Sequence, residues 1–428
     1  TIPLVLGNLF QLTYNAADSV IVGKYVGEQA LAAVGTSTPI MNIAILLISG
    51  MCMGASVLMS SQYGAKDYDT LSRQISTTML AGCGFSVVFS LLMLLLANPV
   101  LRLIRVPETA IPEAAAYLRI IFMGLIFTFM YNFLANTMRA LGDSKTPLYF
   151  LVTSAFLNIF GDLFFVVVLR WGVAGSAIAT VCSEGLCCLL CGIYIKKKIP
   201  LLCLGKKWWV FDKSLLGKTV SYGSTSAMQQ VCLQLGKLII QSVVNTQGVA
   251  VMAAFTAVNR VDDFAYTPQQ NIGHAMTTFL AQNKGAGHKE RMKKGFQTGL
   301  LIELVYSIGL FCVIWGLAPQ IMTLFAEDGD AQVVSLGISY LHLISWMYIL
   351  PGLTNGVQGF FRGIGDLKVT LYSTFMNMFG RVVAVFVMIR LLQMEFASLA
   401  WANMVGWIVM LLFEVPLLVK SMRNGECG

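Results

Sequence analysis

Two acidic residues in the first half of the sequence, Asp18 and Asp162, lie inside long apolar stretches where charged side chains are rare. At about 1.5 Å per helical residue, they fall roughly 9 Å and 12 Å from the end of the stretch that we assign below to the extracellular side. Asn158 precedes Asp162 by four residues and therefore shares its helix face. Thr180 reaches a similar depth in the next stretch, and Tyr14 lies one turn from Asp18.

These five side chains offer carboxylate, amide, phenol and hydroxyl oxygens at one depth. Such oxygens suit a proton-exchanging pair or a hard monovalent cation far better than a softer metal. We therefore expect an ion site for H⁺ or Na⁺, with Na⁺ at Asp18, Asn158, Asp162 and Thr180 as the single metal to consider. The alternative is a hydrogen-bonded network that only holds the helices together.

The second half of the sequence carries four charged residues at a comparable depth, namely Lys237, Arg260, Asp262 and Asp263. Two cations and two anions can neutralise one another, which favours a structural network of salt bridges. If they instead face a cavity, they form a second charged surface. The role of a further embedded acid, Glu184, is left open, although it lies one turn from Thr180.

Pro3 and Gly7, at the start of the first apolar stretch, are natural bending points of a helix. We expect ion binding near Asp18 to alter this helix. The sequence shows no nucleophile with a base and no His, Cys or carboxylate cluster at metal-site spacing, so we expect neither an enzyme nor a cofactor.

Apolar residues make up 57% of the 428 residues and charged residues only 12%, against about 25% charged in a typical soluble domain. Together with a mean hydropathy of +0.73, this indicates an all-α polytopic membrane protein. The apolar runs predict twelve spans at 1–24, 30–63, 71–97, 113–138, 147–170, 172–195, 214–247, 250–283, 293–317, 331–360, 366–391 and 395–420. The sequence opens at Thr1, and we expect that the native chain begins earlier.

The net charge of +8 is distributed unevenly over the connections between spans. Twenty of the 29 Lys and Arg residues lie in connections after even-numbered spans or at the C-terminus, and five follow odd-numbered spans: Lys24, Arg102, Arg105, Arg170 and Arg390. By the positive-inside rule, both termini and the connection 196–213 are cytoplasmic. The excess of basic residues is thus explained by the membrane topology, and we expect no nucleic-acid partner.

The second half of the sequence repeats the first at an offset of roughly 220 residues. Arg139-Ala140-Leu141-Gly142-Asp143-Ser144-Lys145 corresponds to Arg362-Gly363-Ile364-Gly365-Asp366-Leu367-Lys368, and Asn158-Ile159-Phe160-Gly161 to Asn377-Met378-Phe379-Gly380. Six spans per half make the repeat parallel. We predict a six-helix lobe at 1–195, a cytoplasmic linker at 196–213 and a second pseudo-symmetric lobe at 214–428. Within this repeat, Asp18 aligns with Ile239 and Asp162 with Arg381.

The sequence resembles the multidrug and toxic compound extrusion (MATE) transporters over nearly its whole length. The likeness is carried by Tyr14-Asn15-Ala16-Ala17-Asp18-Ser19-Val20-Ile21-Val22-Gly23, Ser61-Gln62-Tyr63-Gly64-Ala65, Arg139 to Pro147, Asn158-Ile159-Phe160-Gly161-Asp162 and Ala281-Gln282-Asn283-Lys284-Gly285-Ala286. It is nearest to the prokaryotic damage-inducible type, in which the coupling-ion residues fall on Tyr14, Asp18, Asn158, Asp162 and Thr180. The branch with acidic ligands in the seventh and tenth spans is matched poorly.

This resemblance implies a V-shaped, twelve-helix antiporter of the prokaryotic inner membrane that works by alternating access. It would export cationic or amphipathic small molecules in exchange for H⁺ or Na⁺, and we expect it to act as a monomer. The alternative is a lipid-linked oligosaccharide flippase of the same architecture. The sequence leaves open the coupling ion, the stoichiometry and the substrate.

Overall fold

The computed structural model describes residues 3, 6, 7, 10, 18, 21–103, 106, 108, 110–199, 209–325, 331–392, 396 and 399–423. These residues form helices and short connections, and no strand occurs among them. Helix α1 is described at Pro3, Leu6, Gly7, Phe10, Asp18 and 21–25. The others are α2 (Glu28–Gly64), α3 (Tyr68–Leu103), α4 (Ile111–Met123), α5 (Leu125–Ala140), α6 (Lys145–Asp162), α7 (Gly172–Lys198), α8 (Lys213–Val244), α9 (Val249–Gly285), α10 (Lys289–Phe325), α11 (Ala331–Ser345), α12 (Ile349–Ile364), α13 (Leu367–Phe386) and α14 (Leu399–Arg423).

Every predicted span corresponds to one of these helices or to a consecutive pair of them. Eight of the described helical spans are long and apolar enough to cross a membrane, and the pair α4 and α5 supplies a ninth. Helices α8 and α9 have the length but carry more polar side chains. Such side chains are tolerated in a membrane helix when they face other protein groups.

Four interruptions were not predicted from the sequence. Helices α4 and α5 meet at Gly124 with a bend of 46°, and a Cβ atom on Gly124 would lie 2.4 Å from a methyl group of Val181. A 3₁₀ turn, Trp346–Tyr348, separates α11 from α12. Helices α6 and α13 each run into a π-helical segment, Leu163–Val168 and Val387–Leu391.

The chain divides into two compact units, Ile2–Ala227 and Met228–Gly428. The boundary lies inside α8, whose first half packs closely against α2. A Cβ atom on Gly54 would lie 2.5 Å from the backbone of Tyr222, so only a glycine permits this approach. The predicted division of the lobes at 196–213 stays a prediction.

The first unit buries two groups of apolar side chains. The larger joins α2, α3, α4 and α5 with the end of α7 and includes Phe122, Phe129 and Phe133. The smaller joins the end of α1 with α2, α4 and α7 around Val22 and Tyr117. These contacts fix α7, which carries Thr180, against the rest of the unit.

The second unit also buries two groups. One lies around Tyr340, Tyr348 and Trp407 and joins α8, α9, α10, α11, α13 and α14. The other packs α9, α10 and α12 together around Phe296 and Phe360. Since α9 and α10 belong to both groups, they form the centre of this unit.

The end of the connection between α7 and α8 is attached to α3. Arg73 forms an ion pair with Asp212 at 2.5 Å, and the backbone N–H of Asp212 donates to Thr77 Oγ1 at 3.1 Å. The Asp212 carboxylate also accepts from the N–H of Ser214 at 2.8 Å, which begins α8. Residues 209–212 are thus held on the first unit.

In both halves, the duplicated Arg-x-x-Gly-Asp-x-Lys stretch forms a turn between two helices. Gly142 and Gly365 have φ values of 94° and 87°, a left-handed conformation that ends a helix. Asp143 Oδ1 accepts from the N–H of Thr146 at 3.0 Å and begins α6. Arg362 is buried and donates to Gln358 Oε1 at 2.7 Å.

Candidate functional site

Asp18 of α1 and Asp162 at the end of α6 lie side by side. Their carboxyl groups are close enough to share a hydrogen bond. Asp162 is fully buried, and neither of its oxygens has another hydrogen-bond partner among the described residues. Asp18 is half-buried and accepts a hydrogen bond from Ser176 Oγ at 2.5 Å.

Two ionised carboxylates repel each other, and neither can donate a hydrogen bond. A single added positive charge removes the repulsion, either as a proton between the two groups or as a bound monovalent cation. The Asp18–Asp162 pair therefore has the chemistry of a site that takes up one positive charge.

Asn158 lies one turn before Asp162 on the same face of α6 and is buried. Its Nδ2 donates to Thr180 Oγ1 of α7 at 3.2 Å. Its Oδ1 is buried and has no partner within the described part of the chain. This amide oxygen is therefore available as a ligand.

Small residues set the distance between α6 and α7. A Cβ atom on Gly161 would lie 3.0 Å from the Cβ atom of Ala179. A Cβ atom on Gly175 would lie 3.0 Å from the backbone of Phe165, in the π-helical segment that follows Asp162. The close approach places Asn158 and Thr180 within hydrogen-bonding distance, and π-helical turns occur often at functional sites.

Of the other residues predicted in α1, Pro3 and Gly7 belong to the described part of the chain. Tyr14 lies outside the described residues. Pro3 is half-buried, and Gly7 is buried with its Cα facing α6, since a Cβ atom there would lie 3.2 Å from Leu151 Cδ2. The start of α1 thus packs on the helix that carries Asp162.

Glu184 of α7 lies near this group and is bound by a hydroxyl. Thr128 Oγ1 of α5 donates to Glu184 Oε2. Glu184 therefore has a hydroxyl donor on another helix, whereas the neighbour of Asp162 is a second acid.

The four charged residues predicted to cluster in the second half are divided between two places. Lys237 forms an ion pair with Asp263 at 3.3 Å, and both side chains are more than half exposed. Arg260 is exposed. Asp262 is buried instead and faces away from this pair.

Asp262 is bound by two tyrosines that the sequence did not indicate. Tyr348 Oη donates to its Oδ1 at 2.6 Å, and Tyr340 Oη lies 3.2 Å from its Oδ2. Arg381, the counterpart of Asp162 in the repeat, is close enough to act on Asp262 electrostatically. The carboxylate of Asp262 thus has its hydrogen-bond donors and a nearby positive charge within its own unit.

Ser176 is a further site residue that the sequence analysis did not include. It lies one turn before Thr180 on α7, so the spacing of four residues was the available signal. Among the described residues, no group of three or more His, Cys, Asp or Glu side chains is arranged to hold a metal ion.

Comparison with known proteins finds the same family in both halves. The model of the MatE family matches residues 3–164 and again residues 226–387. The probable multidrug resistance protein YpnP of Bacillus subtilis (strain 168) is 31% identical over 374 residues, covering 87% of this chain and 82% of the relative. The probable multidrug resistance protein NorM of Thermotoga maritima is 23% identical over 418 residues, covering 95% and 88%.

The fold is also that of solved structures. A MATE protein crystallised in complex with MaL6 superposes with a TM-score of 0.92 at 22% identity, over all of this chain (100%) and 95% of that chain. This likeness confirms the predicted fold class, an all-α polytopic membrane protein with twelve helices in two six-helix lobes. The duplicated family match, the identity with YpnP and the shared fold show that this chain belongs to the MatE family and is a multi-pass membrane transporter, not an enzyme.

Proposed function

We propose that this protein exports cationic or amphipathic small molecules from the cell in exchange for H⁺ or Na⁺. The observation that carries the proposal is the Asp18–Asp162 pair, whose two acids lie side by side and lack a basic partner among the described residues. Relatives named as multidrug resistance proteins support drugs as the transported class. We infer a position in the prokaryotic inner membrane, with both termini cytoplasmic.

The carboxyl pair is the proposed coupling site, and Asn158, Thr180 and Tyr14 complete it. A proton or Na⁺ from outside binds between Asp18 and Asp162 and removes the repulsion between the two carboxylates. The side-chain amide oxygen of Asn158 is the proposed neutral ligand beside them. Because Gly7 packs on Leu151 of α6, a change at Asp162 is transmitted to the start of α1. The altered helix then disfavours a bound cationic drug, which leaves outward while the ion leaves inward.

The proposal is tested with the full chain in proteoliposomes, by following export of an ethidium-type dye. Asp18→Asn and Asp162→Asn each remove one acid while keeping the side-chain shape, and we expect both to reduce export to the level of empty liposomes. Asp69→Asn, at an exposed position at the start of α3, is the matched control and should export normally. Normal export by both site variants, with wild-type folding, would falsify the site.

Separate gradients then identify the coupling ion. We impose a pH gradient without Na⁺, and a Na⁺ gradient without a pH difference, and measure dye export in each. The gradient that drives wild-type export but not export by Asp162→Asn identifies the ion. Movement of lipid-linked oligosaccharide in place of dye, independent of both gradients, would favour the flippase alternative.

A further inference from the structure

A second buried acid, Glu303 of α10, lies in the unit 228–428. Its side chain is 1% exposed, and neither carboxylate oxygen has a hydrogen-bond partner among the described residues. None of the ion pairs found in the described chain includes it. At about 1.5 Å per residue it lies roughly 21 Å from the start of α10, near the middle of a membrane span. A charged carboxylate at this place has nothing to balance it.

The neighbouring side chain of Gln269, from α9, leaves a second oxygen without a partner. Gln269 is fully buried, and its Nε2 donates to Tyr348 O at 2.8 Å and to Ser307 Oγ at 3.1 Å. Both amide hydrogens are thereby used. Its Oε1 accepts nothing from the described residues. The side-chain amide of Gln269 is therefore held in one orientation, and its oxygen remains without a donor among the described residues.

Ser307 does not supply the missing donor. Its hydroxyl hydrogen is directed to the backbone oxygens of Glu303 at 2.7 Å and of Tyr348 at 3.3 Å. Tyr306, the nearest phenol on the same helix, donates to the backbone oxygen of Ala265 at 3.2 Å. The hydroxyl of Tyr348 donates to Asp262, so neither of these two phenols donates to Glu303.

Gly352 lies where these polar groups meet, and its missing side chain allows their close approach. A Cβ atom on Gly352 would lie 2.9 Å from Ser307 Oγ, 3.2 Å from Gln269 Nε2 and 3.4 Å from Glu303 Oε2. The 3₁₀ turn Trp346–Tyr348 lies just before it, and interrupted membrane helices present backbone oxygens to ions in this way.

A contrast within the same unit supports this interpretation. Glu414 of α14 is also buried and its oxygens likewise have no hydrogen-bond partner among the described residues, but Arg362 is close enough to act on it electrostatically. Glu414 thus has a nearby cation, whereas the three free acceptors at Glu303 and Gln269 have none. Three buried acceptors in one place require an added positive charge.

We propose that Glu303 and Gln269, the latter held by Ser307 and the Tyr348 carbonyl, form a binding site for one monovalent cation, a proton or Na⁺, separate from the Asp18–Asp162 pair. The binding itself is independent of the proposed function. If the chain is an ion-coupled exporter, which is the proposal above, the transporter binds two coupling ions, one in each unit.

The site is tested by infrared difference spectroscopy of the purified full chain in lipid nanodiscs, between acidic and alkaline solution. We expect Glu303→Gln to lose one carboxylic-acid band that Asp162→Asn retains. Glu290→Gln, at an exposed glutamate on the same helix, is the control and should keep the band that Glu303→Gln loses. Addition of NaCl distinguishes the two ions: Na⁺ displaces the proton band and one equivalent of bound ²²Na⁺ is lost in Glu303→Gln, whereas a proton site ignores NaCl.

A second variant guards against misfolding. Gln269→Met keeps the length of the side chain but removes the free oxygen, so the Glu303 band should remain and titrate at a different pH. Wild-type spectra and wild-type ²²Na⁺ binding in both Glu303→Gln and Gln269→Met would overturn the proposal. That result would say nothing about dye export by the Asp18 and Asp162 variants, so either proposal can fail without the other.

Discussion

At the scale of single residues, the hydroxyl of Thr180 determines how Asn158 presents its amide. Because Nδ2 of Asn158 donates to Thr180 Oγ1, the oxygen of the same amide is turned away from Thr180 and stays free. Thr180 would therefore act on the ion through Asn158 as well as directly. This separates its role from that of Asp162, which carries the charge.

Thr180→Val replaces the hydroxyl by a methyl group of similar size and frees Asn158 to rotate. The loss of one buried hydrogen bond costs about 1 kcal/mol, which corresponds to roughly a fivefold weaker binding of the ion. We expect the ion concentration for half-maximal dye export to rise by about that factor, with little change in the maximal rate. Thr180→Ser, which restores the hydroxyl, should restore the value, and an unchanged value in Thr180→Val contradicts this role.

The acidic residues of the site could be predicted because acids inside apolar stretches are rare. Ser176 could not be singled out, since serine is common in membrane helices and only its position on α7 directs it to Asp18. The partners of Asp262 could not be predicted either. Tyr340 and Tyr348 come from α11 and the turn after it, and the sequence contains no local signal for that contact.

At the scale of helices, close contact depends on glycines that face a neighbouring backbone. Gly54 of α2 is buried against Tyr222 and Gly223 of α8, and its missing side chain sets the distance between the two helices. Gly84 of α3 is exposed, and a Cβ atom there would meet nothing within 4 Å. The two glycines thus differ in packing and not in secondary structure.

Gly54→Ala should lower the melting temperature of the protein, because the added methyl group meets backbone atoms that cannot rotate away. Overpacking of this kind costs about 1–3 kcal/mol. Gly84→Ala is the matched control, and the higher helix propensity of alanine, about 1 kcal/mol, should leave it as stable as wild type or more stable. Thermal unfolding in detergent, followed by thiol-reactive dye fluorescence, compares them; equal melting temperatures would show that α2 and α8 are not in tight contact.

The helices themselves could be predicted from apolar runs, since a helix needs about 20 consecutive apolar residues to cross the hydrocarbon core of a membrane. Their interruptions could not. The bend at Gly124 and the 3₁₀ turn at Trp346–Tyr348 leave the apolar run continuous, so hydropathy alone does not reveal them. The proposed Glu303 site lies beside such an interruption, so the sequence alone could not predict which groups surround Glu303.

At the scale of the whole molecule, the distribution of basic residues predicts how the chain is oriented in the membrane. Twenty basic residues lie on the side assigned to the cytoplasm and five on the other. Translocating a short basic connection across the membrane is unfavourable, so this asymmetry predicts that both termini are cytoplasmic. In the proposed exchange, the same orientation determines which side supplies the ion to Asp18.

Single cysteines in a cysteine-free background report this orientation. We expect Lys24→Cys to react in intact cells with a maleimide that cannot cross the membrane, because the first connection is predicted to be extracellular. Lys293→Cys, exposed at the start of α10, should react only after the cells are opened. The reverse pattern would invert the topology and, with it, the proposed direction of ion and drug movement.

The two π-helical segments lie at different positions of the repeat, although each follows the helix that carries the repeated Asn-x-Phe-Gly sequence. With Asn158 aligned to Asn377, Leu163–Val168 corresponds to 382–387, whereas the second segment begins only at Val387. The first segment therefore starts directly after Asp162, and the second starts six residues after the aligned Arg381. The two halves share the repeated sequence but interrupt the regular helix at different levels, so the irregular turn adjoins the aligned ionisable residue in the first half and is displaced from it in the second.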